Sequence, residues 1–339
     1  MVTPTSAFAQ SNPTQHSIAQ THAASTSKTG IERAAHTLRI LARDEALKAK
    51  MEADPLWFPI LQRAAMRYIG GTNLAQCLQT IVDINAQGHA ATADYMGEST
   101  RTEALAHIET EHFLELVQAI ADKQLDCTIS LDLSHIGLAV DPALGLANAS
   151  RIALAARAIG SEVMVSMEGS ERTDATLEAH RQLCEKFDHV GITIQARMQR
   201  TPSDLDALLK RPGRIRLVKG AYEEAEDVAH PRDSEALTQA YRSLTARLIQ
   251  SGHACSIGTH DMQQLNWAHD LLQGQPKQGV EFETLMGLGP EASRSMRERG
   301  YPTRQYVVYG KEWFLYVCHR IAENPTRLFD AFADAAGVA

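Results

Sequence analysis

The residues that could do chemistry in this chain lie at or just after the ends of short apolar runs. Asp132 lies near the end of one run, Glu168 follows another, and Arg216 and Lys219 lie within a third. Such residues supply carboxylates, cations and hydrogen-bond donors, which orient ligands in binding sites. A single polar residue at the end of a strand is usually just exposed to solvent. Polar residues after nearly every run predict instead that they line a binding site. The further residues at these positions are Glu98, Ser166, Gln195, Thr259, His260, Glu281 and Glu283.

The runs that position these residues alternate with amphipathic stretches of helical period. The predicted strands are Ala91–Tyr95, Thr128–Leu133, Val163–Met167, Val190–Gln195, Ile215–Lys219, Cys255–Thr259, Val280–Leu285 and Gln305–Val308. The predicted helices include Thr102–Ile120, Asp174–Lys186, Ser234–Gln250, Asp261–Leu272 and Lys311–Ala322. Eight such units predict an α/β fold, a (β/α)8 TIM-like barrel with its active site at the C-terminal ends of the strands. A doubly wound open sheet is the alternative, disfavoured because no GxGxxG sequence opens a helix.

The chain before the barrel divides into two predicted segments. Residues 1–30 are rich in Ser, Thr, Gln, Ala and His, which predicts a disordered tail. Residues 31–50 follow a helical pattern, and a further helix runs from Trp57 toward Tyr68 and ends before Gly70. We therefore expect a tail at 1–30, an N-terminal helical arm at 31–88 and the barrel at 89–339.

Composition and charge narrow the class of protein. The chain has 339 residues, with 33 Lys and Arg against 41 Asp and Glu, a formal charge of −8. This acidic balance argues against nucleic acid as the main partner. No apolar run approaches the roughly 18 residues of a membrane span, and no secretory signal is expected. The five cysteines include no CxxC pair, which disfavours a disulfide framework or a zinc ribbon. We expect a cytoplasmic enzyme, with peripheral membrane contact as a variant.

Strings of residues at the strand ends resemble the FAD-dependent proline dehydrogenase family, in its monofunctional bacterial form. The resemblance covers roughly residues 35–330. Its strings are Asp94 to Ser99, Met167-Glu168, Ile194 to Ala196, Arg216 to Tyr222, Gly258 to Asp261, Glu281 to Leu285, Tyr306 to Gly310 and His319 to Pro325. Each string alone is weak evidence for the family, but their order along the chain, with one string at each strand end, is specific to it. The family fold is a distorted (β/α)8 barrel, with a C-terminal helix over its mouth.

The resemblance implies FAD as the cofactor. Arg216 would lie near flavin N5 and the N1–C2 edge, where a guanidinium stabilises the negative charge of reduction. Gln195 would hydrogen-bond the isoalloxazine, and Glu168 would pair with a basic residue beneath it. The residues implied to meet the ribityl, phosphate and adenosine groups are Lys219, Gly220, Ala221, Thr259 and His260.

The resemblance also implies a substrate site and no metal ligands. Tyr222, Leu285 and Tyr306 would form its apolar and aromatic walls. The implied substrate-binding set is Asp132, Ser166, Tyr222, Leu285, Tyr306, His319 and Arg320, and the implied catalytic set is Arg216, Asp132, Tyr306 and Arg320.

The substrate side departs from the family pattern at four positions. Asp132 stands where members have lysine, Ser166 where they have aspartate, and Glu283 where glutamine is usual. His319 and Arg320 replace an Arg-Arg pair that holds the proline carboxylate. Because an unpaired buried carboxylate is costly, these changes predict poor binding of free proline. The hypothesis is therefore hydride transfer to flavin N5 from a C–N or N–N bond of a proline-like, amine or carrier-tethered amino acyl substrate.

Three other interpretations stay open at this stage. One is a genuine L-proline dehydrogenase that forms 1-pyrroline-5-carboxylate, with His319 and Arg320 together holding the carboxylate. Another is a catalytically inactive flavin-barrel binding module. The third is a metal-dependent hydrolase that uses His135, His260 and acids, although no HxH follows the first strand. The electron acceptor would be a quinone, oxygen or another oxidant.

Overall fold

The computed structural model describes residues 29–97 and 100–336 and contains a closed barrel of eight parallel strands. Each strand pairs with the next in the chain, and β8 closes the barrel by pairing with β1. The strands are β1 Ala90–Tyr95, β2 Cys127–Leu131, β3 Val163–Val165, β4 Val190–Gln195, β5 Ile215–Val218, β6 Cys255–Gly258, β7 Val280–Leu285 and β8 Thr303–Tyr309. The predicted barrel is thus confirmed, with β4 and β7 at their predicted bounds.

Thirteen α-helices occur in the described residues. They are α1 Gly30–Leu41, α2 Glu45–Glu52, α3 Trp57–Ala65, α4 Leu74–Ala86, α5 Glu103–Lys123, α6 Pro142–Ala158, α7 Thr173–Cys184, α8 Thr201–Leu208, α9 Glu235–Ser251, α10 Met262–Leu271, α11 Pro290–Glu298, α12 Trp313–Glu323 and α13 Arg327–Ala336. No helix within the described part of the chain is long and apolar enough to cross a membrane.

The local sequence explains where the elements begin. All residues of β2 and of β4 are buried, as expected for runs of β-branched and apolar residues covered on both faces. Side chains of Thr102, Ser234 and Asp261 cap α5, α9 and α10 by accepting hydrogen bonds from backbone N–H groups of the first turns. These caps fix where each loop at the barrel mouth turns back into a helix.

A buried ion pair fills the barrel near the N-terminal ends of the strands. Arg304 Nε donates to Glu281 Oε1 at 2.9 Å, and Ser256 Oγ donates to the same oxygen at 2.6 Å. The neighbouring arginine and this hydroxyl lower the pKa of Glu281 despite its burial. In a (β/α)8 barrel this end serves stability rather than catalysis. Glu281 therefore belongs to the structural floor and not to the mouth, where the sequence pattern placed it.

The helices outside the barrel pack around its mouth and its end strands. Helix α1 packs against α12, α3 packs against α13, and α4 packs against β1 and β8. The helical pattern predicted over 31–50 is two helices, because the Asp44 side chain caps α2 and interrupts it. The C-terminal helix α13 was not predicted. The predicted tail lies outside the described residues except Thr29 and Gly30, as does Glu98, and the domain boundaries stay predictions.

Candidate active site

Arg216 lies at the centre of the barrel mouth, buried on β5. Its Nε donates to Thr193 Oγ1 at 2.9 Å, its Nη2 to Ser130 Oγ at 3.1 Å and its Nη1 to Glu283 Oε1 at 3.4 Å. Its Cζ lies 4.7 Å from the centroid of the Tyr306 ring. Contacts on β2, β4, β7 and β8 thus hold one guanidinium in a single orientation. Its ion-pair partner is Glu283.

A chain of polar groups crosses the mouth beside this arginine. The hydroxyl of Tyr306 donates to Asp94 Oδ2 and lies 3.3 Å from Ser130 Oγ. Ser130 Oγ in turn lies 3.1 Å from Ser166 Oγ, and Ser166 is hydrogen-bonded to Asp132. The chain therefore links two carboxyl groups through three hydroxyls. It brings together the predicted residues Asp132, Ser166 and Tyr306.

The two carboxyl groups at the ends of this chain favour their protonated forms. Desolvation in the mouth and the nearby Asp132 raise the pKa of Asp94 to about 8. Desolvation also raises the pKa of Asp132, and Glu168 adds to that rise, while His135 and Arg216 oppose it. Burial beside a second acid therefore makes each of these carboxyl groups harder to ionise than an exposed aspartate.

Glu168 follows β3 and is tied to its surroundings on both sides. Ser134 Oγ donates to Glu168 Oε1 at 2.6 Å, and Arg172 Nη1 donates to the same oxygen at 2.5 Å. The backbone oxygen of Glu168 accepts from Gln195 Nε2 at 2.8 Å. The basic partner of Glu168 is therefore Arg172, and Gln195 is fixed in place by the same segment.

The opposite side of the mouth carries the residues that follow β5 and β6. Lys219 Nζ donates to Asp261 Oδ2 at 2.9 Å, and the lysine stays partly exposed. Thr259 Oγ1 accepts from the Asp261 backbone N–H at 3.1 Å. Burial and the nearby Arg327 lower the pKa of His260 to about 4, so its imidazole is neutral at pH 7. These side chains form a polar, partly cationic rim.

Helix α12 brings Arg320 and Tyr316 over the mouth. Arg320 is 9% exposed, its Nη2 forms an ion pair with Glu323 Oε1 at 2.7 Å, and its Cζ lies 5.2 Å from the Tyr316 ring centroid. The ion-pair partner of Arg320 is thus Glu323 on its own helix. Within the described residues, Arg320 Nε and the Tyr316 hydroxyl are buried without a hydrogen-bond partner.

The predicted wall residues differ in how well they are packed. Leu285 ends β7 beside Tyr306, with which it is in register, and is partly buried. Tyr222 lies in the loop after β5 and is 42% exposed. Desolvation raises the pKa of its hydroxyl, and Asp132 and Glu168 are near enough for their charges to add to that rise. Its role as a wall of the site stays a prediction. Arg232 and Arg197 hold this loop through the backbone oxygens of Ala221 and Tyr222 respectively.

Several residues of the site were missed by sequence reasoning. Asp94 lies in the first of the segments that resemble the family, but its contact with Tyr306 depends on the pairing of β8 with β1. Tyr316 lies one helical turn before Arg320, and that i, i+4 spacing is the signal that could have found it. No group of three or more His, Cys, Asp or Glu side chains suited to a metal ion occurs in the part of the chain that the structure describes.

Comparison with known proteins places this site in a family. The model of the proline dehydrogenase family matches residues 77–328. Proline dehydrogenase 2 of Bacillus subtilis (strain 168) is 32% identical over 271 residues, which are 79% of this chain and 89% of that protein. The proline dehydrogenase of Deinococcus radiodurans is 31% identical over 268 residues, 77% of this chain and 86% of its own.

Solved structures show the same fold at lower identity. Proline utilization A from Bdellovibrio bacteriovorus, inactivated by N-propargylglycine, superimposes with a TM-score of 0.74 at 19% identity. The match covers 91% of this chain but only 39% of that protein, so the chain corresponds to less than half of it. At this identity the likeness concerns the fold, and the family model and the bacterial relatives carry the assignment. The chain therefore belongs to the proline dehydrogenase family.

Proposed function

We propose that this chain is an FAD-dependent dehydrogenase that oxidises the C–N bond of L-proline to 1-pyrroline-5-carboxylate. The observation that carries the proposal is the buried Arg216, held over Tyr306 by contacts from four strands at the centre of the mouth. The family match supports it, as do bacterial relatives named proline dehydrogenase that align over most of their length. Proline is an amine with a C–H bond next to nitrogen, which suits an oxidoreductase of CH–NH donors.

The residues around Gly220 fit a flavin dinucleotide. Gly220 has φ +109°, and a Cβ there would lie 2.8 Å from Gln195 Oε1. A glycine at this place lets a phosphate approach the backbone closely. Arg216 and Lys219 supply two cations, and Gln195 supplies an amide held by the Glu168 carbonyl. We assign Gln195, Arg216, Lys219, Gly220, Ala221, Thr259, His260 and Glu168 to the cofactor.

Bound flavin would supply the chemistry by accepting a hydride from the carbon beside nitrogen, and an external acceptor would later remove the electrons. The residues of the chain provide position and charge. Arg216 presents a fixed positive charge where a flavin ring would become negative. Tyr306 holds that guanidinium from below, and its hydroxyl joins it to Asp94. The protein thereby orients reacting groups that need no further covalent catalyst.

The altered substrate side does not prevent proline from binding. Because the pKa values of Asp94 and Asp132 are both raised, the mouth repels a carboxylate less than two ordinary aspartates would. The buried Arg320 Nε and Tyr316 hydroxyl, both without partners in the described chain, are donors available to an anion. A buried donor without a partner is destabilising, so a ligand that satisfies both is favoured.

A second candidate is a cyclic or secondary amine without a carboxylate. Burial and the nearby Arg320 lower the pKa of His319 to about 4, which leaves this side chain neutral at pH 7. Arg320 already has Glu323 as a counter-ion. These two observations favour a substrate that has no anionic group for these side chains to bind. The named relatives lend no support to a carrier-tethered substrate, and we do not retain that hypothesis.

The test is the absorbance spectrum of the purified protein, followed by anaerobic titration with L-proline and with pyrrolidine. Bleaching of bound flavin by L-proline at lower concentrations than pyrrolidine supports the first proposal. Bleaching by pyrrolidine alone supports the second candidate. A flavin that neither compound reduces indicates the inactive binding module, and a protein without flavin contradicts all three. Cytoplasmic location and peripheral membrane contact stay predictions, to be tested by cell fractionation.

A further inference from the structure

Arg39, on the N-terminal arm, reaches the edge of the barrel mouth. Its Nη2 donates to the backbone oxygen of Ala322 on α12 at 3.3 Å, and its Nε lies 3.8 Å from Glu223 Oε1 in the loop after β5. One guanidinium therefore joins α1, the helix over the mouth and the loop that carries Tyr222. Its side chain is about one-third exposed, with the rest covered by these elements.

Arg232 approaches the same place from the far end of the β5 loop. Its Nη2 donates to the backbone oxygen of Ala221. Burial lowers the pKa of Arg232, and the nearby positive charges of Arg197 and Arg39 lower it further, while Glu223 and Glu323 oppose the effect. Within the described residues, the Arg232 side chain has the Ala221 carbonyl as its hydrogen-bond partner and forms no ion pair with a carboxylate. This region therefore holds cations without enough counter-ions.

The charges around His319 show the same excess. Four arginines disfavour a proton on His319, namely Arg320, Arg43, Arg39 and Arg232. With Arg197 beside Arg232 the cluster contains five guanidinium groups, and within the described residues its ion pairs are Arg39 with Glu223 and Arg320 with Glu323. Five cations against two carboxylates leave a net positive field at one edge of the mouth, which attracts an anion.

A second, independent observation lies beside this cluster. Arg320 is 9% exposed, and within the described chain its Nε has no hydrogen-bond partner. The buried Tyr316 hydroxyl, whose ring lies 5.2 Å from Arg320 Cζ, also has none. Nearly all buried polar groups in folded proteins are paired, so two adjacent donors without partners point to an absent ligand. The charge excess makes that ligand an anion.

We propose that Arg39 of the N-terminal arm and Arg232 of the β5 loop complete the site that receives the substrate carboxylate, together with Arg320 and Tyr316. The inference rests on the proposed function, because it assigns the anion to an amino acid substrate. His319 is neutral in this arrangement, and Arg39 and Arg232 supply the positive charge that a second arginine on α12 would otherwise provide. The arm then determines specificity for a carboxylate-bearing amine.

The test compares Arg39→Ala with Arg33→Ala in the full chain. Arg33 is an exposed arginine on the same helix, so its loss controls for the change in net charge. We expect Arg39→Ala to raise KM for L-proline roughly tenfold, the worth of one charge-assisted hydrogen bond. The kcat for proline and the KM for pyrrolidine should stay near those of Arg33→Ala, while the thermal midpoint should fall through the loss of the contacts of Arg39 with Ala322 and Glu223. Arg39→Lys should recover part of the loss, and Arg232→Ala should resemble Arg39→Ala.

Binding of cyclopentanecarboxylate, measured by calorimetry, separates this inference from the proposed function. This compound has the carboxylate and ring of proline but no nitrogen, so it binds without being oxidised. Weaker binding to Arg39→Ala than to Arg33→Ala supports the inference, whatever the protein oxidises. Equal binding to both variants overturns it, as does failure of the unaltered protein to bind. Equal rises in KM for proline and pyrrolidine, or loss of bound flavin, also overturn it by indicating a structural or cofactor role.

Discussion

The guanidinium of Arg216 lies over the ring of Tyr306, with Cζ 4.7 Å from the ring centroid. Both residues also belong to the polar chain across the mouth, because each is hydrogen-bonded to Ser130. The arginine is therefore positioned by an aromatic face as well as by its ion pair with Glu283. A cation over an aromatic ring is worth more once water is excluded, as it is around this buried arginine.

Tyr306→Phe and Tyr306→Leu should separate the ring from the hydroxyl. The phenylalanine keeps the aromatic face under Arg216 but leaves Asp94 without its donor, which we expect to lower the free energy of unfolding by about 1–3 kcal/mol. Flavin content should be unchanged in that variant. The leucine removes the face, so we expect Arg216 to shift and flavin reduction to slow by more than in Tyr306→Phe. Equal rates of flavin reduction in both variants, measured by stopped flow, would contradict a role for the ring.

Glu283 provides a test of the buried ion pair. Its Oε1 accepts from Thr92 Oγ1 at 2.7 Å and from Arg216 Nη1 at 3.4 Å. Glu283→Leu leaves the guanidinium without its carboxylate, which should lower the free energy of unfolding by about 3–5 kcal/mol. Glu283→Gln keeps an acceptor for Thr92 and should cost less. Urea unfolding of both variants measures the difference, and an equal loss in the two would show that the lost charge, common to both variants, accounts for the effect and that the acceptor for Thr92 adds nothing.

Much of the barrel follows from local sequence, as β4 and β7 show most clearly. Val190–Gln195 is largely β-branched and apolar, as a covered parallel strand requires. Val280–Leu285 alternates apolar residues with the buried Glu281 and Glu283, and its flanking polar segments mark its bounds. Helix α13 escaped prediction because its apolar side packs against α3, far away in the chain. Its Phe329 and Phe332 remain exposed although the helix is amphipathic, so the pattern alone does not show which side packs.

The chemical state of the site was harder to predict than its residues. The segment from Arg216 to Tyr222 predicts Arg216 as a site residue. Its ion-pair partner Glu283 lies two strands away, and the two meet because the barrel closes. Asp132 was identified as an altered residue, yet its charge depends on desolvation and on Glu168 beside it. The sequence does not predict Arg39 as a site residue, since nothing in its local sequence shows that α1 packs against α12. The partners and charges of these residues therefore depend on contacts between distant segments, which residue spacing does not predict.

Asp94→Asn should change how stability depends on pH. An unfolded Asp94 titrates near 3.8, whereas the folded one titrates at about 8, so between these values the folded state binds more protons. Its contribution to stability is complete below pH 3.8 and is lost as the pH rises toward 8. Asparagine resembles the protonated acid and still accepts from Tyr306. The variant should therefore gain stability over the unaltered protein as the pH rises from 5 to 9.

The measurement for that variant is urea unfolding at several pH values, with the two proteins compared at each. The lowered pKa values of the histidines contribute equally to the pH dependence of stability in both proteins, so their contribution cancels in the comparison. A difference that stays constant with pH would show that Asp94 is ionised throughout this range. Asp132→Asn should give a change of the same sign, because the two acids share one environment.

Gly220→Ala should separate the flavin site from general stability. Gly220 has φ +109°, and an added Cβ would lie 2.8 Å from Gln195 Oε1, so the side chain that we assign to the flavin must move. The backbone strain alone should cost about 1–3 kcal/mol. Gly160 is the control, because it has φ +72° and no atom within 4 Å of an added Cβ. Gly160→Ala should therefore lose stability but keep its flavin, whereas Gly220→Ala should lose stability and bind flavin more weakly. Flavin absorbance per polypeptide after dialysis decides the matter, and equal flavin retention in the two variants would place the cofactor away from Gly220.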